Sequence, residues 1–103
     1  MSSVIEITNF SQYEAFKKRK RGVIFYGAKW CKSCKGIKEL YERIANRYQN
    51  KIKMAYVDID VAGLDFTSVP IFVSLYNGKQ LDSIIGADIP KLKILIKEAI
   101  NAK

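Results

Sequence analysis

Two cysteines, Cys31 and Cys34, stand three positions apart in the run Trp30-Cys31-Lys32-Ser33-Cys34. At the start of a helix, thiols with this spacing close a disulfide with little backbone movement, so the same pair can be oxidised and reduced repeatedly. Free amides and the positive end of the helix dipole favour a thiolate there, as do nearby cations. Together they move a cysteine pKa from about 8.5 towards about 7 or below. Cys31, nearer the helix tip and beside Lys29 and Lys32, is predicted to be the exposed nucleophile. Cys34, one turn further in, is the shielded resolving thiol that attacks the mixed disulfide and releases the reduced target.

Other uses of the pair fit less well. There is no third cysteine and no histidine, so a four-ligand zinc site is not expected. An inert disulfide across two residues constrains little of the unfolded chain, and nothing else supports an iron-sulfur site shared across a dimer. No bound cofactor is expected beyond the redox-active Cys31–Cys34 disulfide itself. A binding subunit with an incidental dithiol is the alternative from a different functional class.

The elements that must position these thiols are legible in the pattern. Val4 to Thr8 alternates as a strand, and Ser11 to Lys20 reads as a short helix with Tyr13 and Phe16 on one face. Gly22 to Tyr26 is a short apolar run suited to a central, doubly buried strand. From Cys34 to Tyr48 apolar residues recur at helical spacing, and Ile52 to Ile59 follows as a strand, closing a β-α-β unit with the cysteines at its helix N-terminus. Ile71 to Tyr76 and Lys79 to Ile85 flank Asn77-Gly78, the turn chemistry of an antiparallel hairpin. After Gly86, Asp88 caps a last helix with Pro90 in its first turn. The order is β-α-β-α-β, then β-β-α, an α/β class. At 103 residues, 49% of them hydrophobic, a single domain over residues 1–103 is expected.

No apolar run approaches the roughly 20 residues needed to cross a bilayer, so no membrane association is expected. Polar Glu6, Thr8 and Asn9 interrupt any apolar leader, which points to a cytoplasmic location. The net charge is +8, and half of the positive charge lies between Lys17 and Lys38, a stretch with no Asp or Glu. Lys17, Lys18, Arg19, Lys20 and Arg21 precede the central strand, whereas Lys29, Lys32, Lys35 and Lys38 surround the dithiol, so two patches are predicted. Solvated lysines are the plain reading. Steering of acidic protein targets comes next, and nucleic acid is the least favoured partner.

With these residues in view, the sequence resembles the thioredoxin family over nearly its whole length. The resemblance is carried by Ala28-Lys29-Trp30, the two cysteines, Lys35, Val57-Asp58-Ile59-Asp60, Val69-Pro70, Asn77-Gly78 and Gly86. It implies a thioredoxin fold, a central mixed sheet flanked by helices, and a protein-disulfide reductase recharged by thioredoxin reductase. It implies that Pro70 is a cis-proline facing the disulfide, that the Val69 backbone pairs with a bound target, and that Trp30 and Gly86 border the same groove. An ordinary trans proline at Pro70 and core filling by Trp30 are the alternatives.

The departures from the family are informative. Lys32-Ser33 replaces the usual Gly-Pro, Phe25 stands where a buried aspartate is common, Tyr56 where a lysine is common, and Glu39 where a proline often kinks the helix. The segment from Asp60 to Pro70 is short, so the helix usual there is reduced to a loop or single turn. These last features leave a glutathione-coupled, glutaredoxin-like enzyme as the alternative. The Trp before Cys31 and the lack of Cys-Pro-Tyr-Cys count against it.

Overall fold

The computed structural model describes residues 2–103. In chain order the elements are β1 (Val4–Ile7), α1 (Phe10–Lys17), β2 (Arg21–Gly27), α2 (Lys32–Arg47), β3 (Lys53–Asp58), β4 (Ile71–Tyr76), β5 (Lys79–Ile85) and α3 (Ile89–Asn101). The strands form one sheet in the order β1-β3-β2-β4-β5. The first three run parallel, β4 runs antiparallel to β2, and β5 antiparallel to β4. This is the mixed sheet that the resemblance implies. The parallel half comes from helical crossovers and the antiparallel half from the hairpin, where Asn77 and Gly78 both take positive φ, 51° and 81°.

Successive strand residues point to opposite faces, and β2 shows which helix lies on which. Phe25 packs against Tyr41 of α2, with ring centroids 5.1 Å apart, whereas Tyr26 packs against Tyr13 of α1 at 5.9 Å. Helices α1 and α2 therefore cover opposite faces. α2 buries Cys34, Ile37, Tyr41 and Ala45, a single stripe at helical spacing. Its register on the sheet is set by the Tyr41 hydroxyl, which donates to the Ala55 carbonyl at 2.7 Å and the Val23 carbonyl at 3.2 Å.

Helix α1 is shorter than its pattern suggests. It is capped by the Asn9 side chain and stops at Lys17, because the chain must turn before β2 begins at Arg21, and the Lys20 carbonyl already accepts from the Asn77 amide at 2.8 Å. The segment between β3 and β4 holds only turns and bends, as its length implies. In place of a helix, Phe66 lays its ring against Tyr26, centroids 4.8 Å apart, on the α1 face. At the last helix, Asp88 caps as expected, accepting from the Lys91 amide at 3.0 Å.

Candidate active site

Strand β2 ends at Gly27, a turn carries Ala28 to Trp30, and α2 begins at Lys32 with Cys31 as its N-cap. An N-cap side chain ordinarily accepts one of the helix's free amides through oxygen. Here sulfur does so: the Cys34 amide donates to Cys31 Sγ at 3.1 Å. Cys31 and Cys34 are joined as a disulfide, their Cα atoms 5.3 Å apart. The Ser33 hydroxyl lies 3.5 Å from Cys31 Sγ and is the donor, since a disulfide sulfur carries no hydrogen. Lys32 is exposed.

One expectation needs correction. Cys31 is 5% exposed and Cys34 2%, so in the disulfide form both sulfurs are covered and exposure does not separate nucleophile from resolver. What separates them is electrostatic placement. Cys31 Sγ takes the first-turn amide. Cys34 lines a cavity of about 160 Å3 with Lys29, Lys35, Lys38 and Tyr56. Of the two cations expected beside Cys31, Lys29 thus lines the cavity behind the second cysteine and Lys32 does not; Lys35 and Lys38 join Lys29 there because they lie on the helix that buries Cys34.

Phe25 is fully buried and does not line that cavity. It sits edge-on to Tyr56, its register partner on β3, at 4.9 Å, and it also packs against Phe72 at 4.6 Å. An aromatic pair thus occupies the two positions where the family commonly has an aspartate and a lysine, and Tyr56 is the member that meets the cavity. Its hydroxyl fits because position 27 is glycine; a Cβ there would come within 2.8 Å of it. Lys38 Nζ lies 4.2 Å from the Tyr56 ring centroid and 3.4 Å from Glu6. Burial, then the charges of Asp58 and Glu6, push the Tyr56 phenol above its ordinary pKa.

Across from the dithiol, the Val69–Pro70 peptide is cis, and the Val69 carbonyl lies 3.7 Å from Cys31 Sγ. The Gly86 amide donates to the Pro70 carbonyl at 2.8 Å. Trp30 is 61% exposed, which rules out core filling. Its indole donates to Asp60 at 3.0 Å, and Asp58 holds that loop by accepting from the amides of Asp60 and Val61. Neither aspartate lines the Cys34 cavity. From the sequence, Asp60 stood out as one residue of the Val57-Asp58-Ile59-Asp60 run and, with Asp58, as a carboxylate that could replace the missing buried aspartate, not as the partner of Trp30.

The thioredoxin family model matches residues 3–98. The chain belongs to the thioredoxin family. It is 31% identical over 100 residues to the thioredoxin of Griffithsia pacifica, a match covering 92% of this chain and 89% of that protein. It is 29% identical to the TPR repeat-containing thioredoxin TDX of Arabidopsis thaliana, but spans only 29% of that protein's length. Among solved structures, the thioredoxin of Malassezia sympodialis superposes with a TM-score of 0.85 at 29% identity, covering 97% of this chain and 93% of that one. The cysteine pair at the head of α2 is the redox-active centre that thioredoxins use for disulfide exchange.

Proposed function

We propose that the protein reduces disulfides in other proteins by dithiol exchange. The Cys31 thiolate attacks a target sulfur, forming a mixed disulfide and expelling one target thiolate, which takes up a proton. Cys34 then loses its proton and attacks Cys31 Sγ, the second target thiolate leaves, and the Cys31–Cys34 disulfide closes. Two electrons pass from the dithiol to the target. The observation that carries this reading is the Cys34 amide directed at Cys31 Sγ, 3.1 Å away. The same donor that caps the helix against the disulfide favours negative charge on Cys31 once it is reduced.

In this reading the Val69 backbone pairs with the target segment beside the sulfurs, and Trp30, Pro70 and Gly86 form the groove around it. Lys32 and Ser33 tune the potential, and Phe25 denies Cys34 the buried carboxylate common in the family. The electron donor is a flavin-dependent thioredoxin reductase and the setting a reducing, cytoplasmic one; family membership and the use of just two cysteines, spaced for exchange, support both.

The test is reduction of a generic protein disulfide, with electrons supplied through thioredoxin reductase in one arm and through glutathione and its reductase in the other. Turnover in the first arm is expected. Turnover with glutathione alone would overturn the assignment of the donor, and activity that survives Cys31→Ser, Cys34→Ser would overturn the enzyme itself.

A further inference from the structure

The charge at the opposite end of the sheet has no part in the dithiol chemistry. Where β2 and β3 begin, Arg19, Lys20 and Arg21 line an open groove of about 300 Å3 together with Lys51 and Lys53. Strand β2 holds this groove about 20 Å from Cys31, at roughly 3.3 Å per residue. Among the described residues, no acidic side chain lines it. Among the described residues, the ion pairs are Lys17–Glu14 and Lys38–Glu6, and neither involves these five cations.

Two of the five are held in place without losing their charge. Arg21 donates to the Ala99 carbonyl at 2.9 Å and lies over the Tyr76 ring, 4.9 Å from its centroid. Lys53 donates to the Gln49 carbonyl at 3.3 Å. Both acceptors are neutral. A second cavity, of about 240 Å3, opens between α2 and α3 with Arg47, Lys93 and Lys97 at its edge. That cavity also carries Ile44, Tyr48 and Ile96 in its lining and shares no residue with the groove, so it is a separate, more apolar surface.

We propose that this groove binds the phosphodiester backbone of duplex nucleic acid, without reading its sequence. Arginine, lysine and amide donors are the groups that position proteins on phosphates, and such contacts carry no sequence information. The side-chain amides of Gln49 and Asn50 in the groove add neutral donors of that kind. An acidic protein partner is disfavoured because protein interfaces centre on apolar and aromatic side chains. Among the described residues, none of the exposed large apolar ones lines the groove, Trp30 and Ile85 included. A single strand is disfavoured because it is held by stacking on aromatic rings, and the groove has none. Sequence alone gave nucleic acid the least weight, since the gathering of Lys51 and Lys53 against Arg19 to Arg21 exists only in the fold. The proposal does not rest on the dithiol, and a Cys31→Ser, Cys34→Ser protein should bind as wild type does.

Fluorescence anisotropy of a labelled mixed-sequence duplex, titrated with the full chain between about 50 and about 200 mM salt, provides the test. If each groove cation displaces one counterion, log K should fall against log salt with a slope of about −4.5. Arg19→Gln, Lys20→Gln, Lys51→Gln should flatten that slope by about 2.7. The charge-matched Lys29→Gln, Lys32→Gln, Lys35→Gln should leave it unchanged. Equal flattening by both triple variants would reduce the effect to net charge and overturn the site. Tighter binding of a single strand, equal binding of polyglutamate, or no binding at the lowest salt would overturn the duplex ligand.

Discussion

The Cys34 amide donates to Cys31 Sγ across 3.1 Å, so one cysteine's backbone supports the charge on the other's side chain. The relationship runs one way, since nothing equivalent in the helix tip is directed at Cys34. Cys34→Ser should therefore accumulate a mixed disulfide with a protein target, and Cys31→Ser should not. Non-reducing gels after incubation with an oxidised substrate check this, and equal trapping by both variants would remove the assignment of roles.

Ser33 adds a hydroxyl 3.5 Å from the same sulfur, and Lys32 adds a cation at the helix tip. Both favour the thiolate, which belongs to the reduced state, so the pair should be less reducing than one carrying Gly-Pro. Each unit of thiol pKa is worth about 1.4 kcal/mol, roughly 30 mV for a two-electron couple. Equilibration in glutathione redox buffers should give Lys32→Gly, Ser33→Pro the lower potential. A wild-type potential equal to or below the variant's contradicts the argument.

Behind Cys34 the cavity brings Lys29, Lys35 and Lys38 together. Neighbouring cations favour a thiolate, so they ease the deprotonation that resolution requires at a site with no carboxylate in the cavity lining. Lys35→Gln, Lys38→Gln should move the pH dependence of mixed-disulfide resolution to higher pH, by up to about one unit given the partial exposure of these side chains. Rapid-mixing kinetics across neutral pH would show it; an unmoved profile would mean that the cavity cations do not reach Cys34.

Trp30 is held at the site's edge by Asp60 rather than by packing. Asp60→Ala should cost stability only about 1 kcal/mol, the worth of one net hydrogen bond, yet it should raise KM for a protein disulfide more than it lowers kcat. A fall in kcat with KM unchanged would place Asp60 in the chemical step instead.

Alkaline pH should unfold the protein through its buried phenols. Burial pushes Tyr26, Tyr41 and Tyr56 above their ordinary pKa, with the Tyr13 hydroxyl 2.8 Å away adding to the shift at Tyr26. In the unfolded chain these groups lose protons near pH 10, while in the folded chain they keep them. The unfolded state therefore binds fewer protons above about pH 10, and stability falls as pH rises from there; below it these groups contribute no slope. Urea midpoints should drop above about pH 10, less steeply in Tyr26→Phe. A flat profile would mean that these tyrosines ionise as readily folded as unfolded.

What could be read from the chain divides by the range of the interaction. The hairpin and the Asp88 cap follow from Asn77-Gly78 and from a few residues around the cap, and their positions agree with the sequence reading. The dithiol at a helix N-terminus was legible for the same reason. The end of α1 was misread because periodicity alone does not register where the chain must turn into β2, a point fixed by the distant Asn77 amide on the Lys20 carbonyl. The surroundings of Cys34 were legible only in part: Lys35 and Lys38 follow it on α2 and were expected near the dithiol, whereas Tyr56 meets it only through the β-α-β crossover, and the cover over Cys31 depends on Val69, distant in sequence. For Trp30 the sequence left open a groove wall or a core residue, and the reach of Asp60 from the loop after β3 decides between them.

The single hydroxyl of Tyr41, shared between carbonyls on two adjacent strands, gives the helix that bears the thiols a fixed datum. A helix pinned at its midpoint to two interior strands of the sheet can neither roll nor slide without breaking a buried polar contact, at a cost of about 1–3 kcal/mol. Sulfur chemistry at its tip is thereby confined to the first turn. Electrons can enter and leave many times while the scaffold beneath keeps its dimensions, so a target meets the same surface in either state of charge.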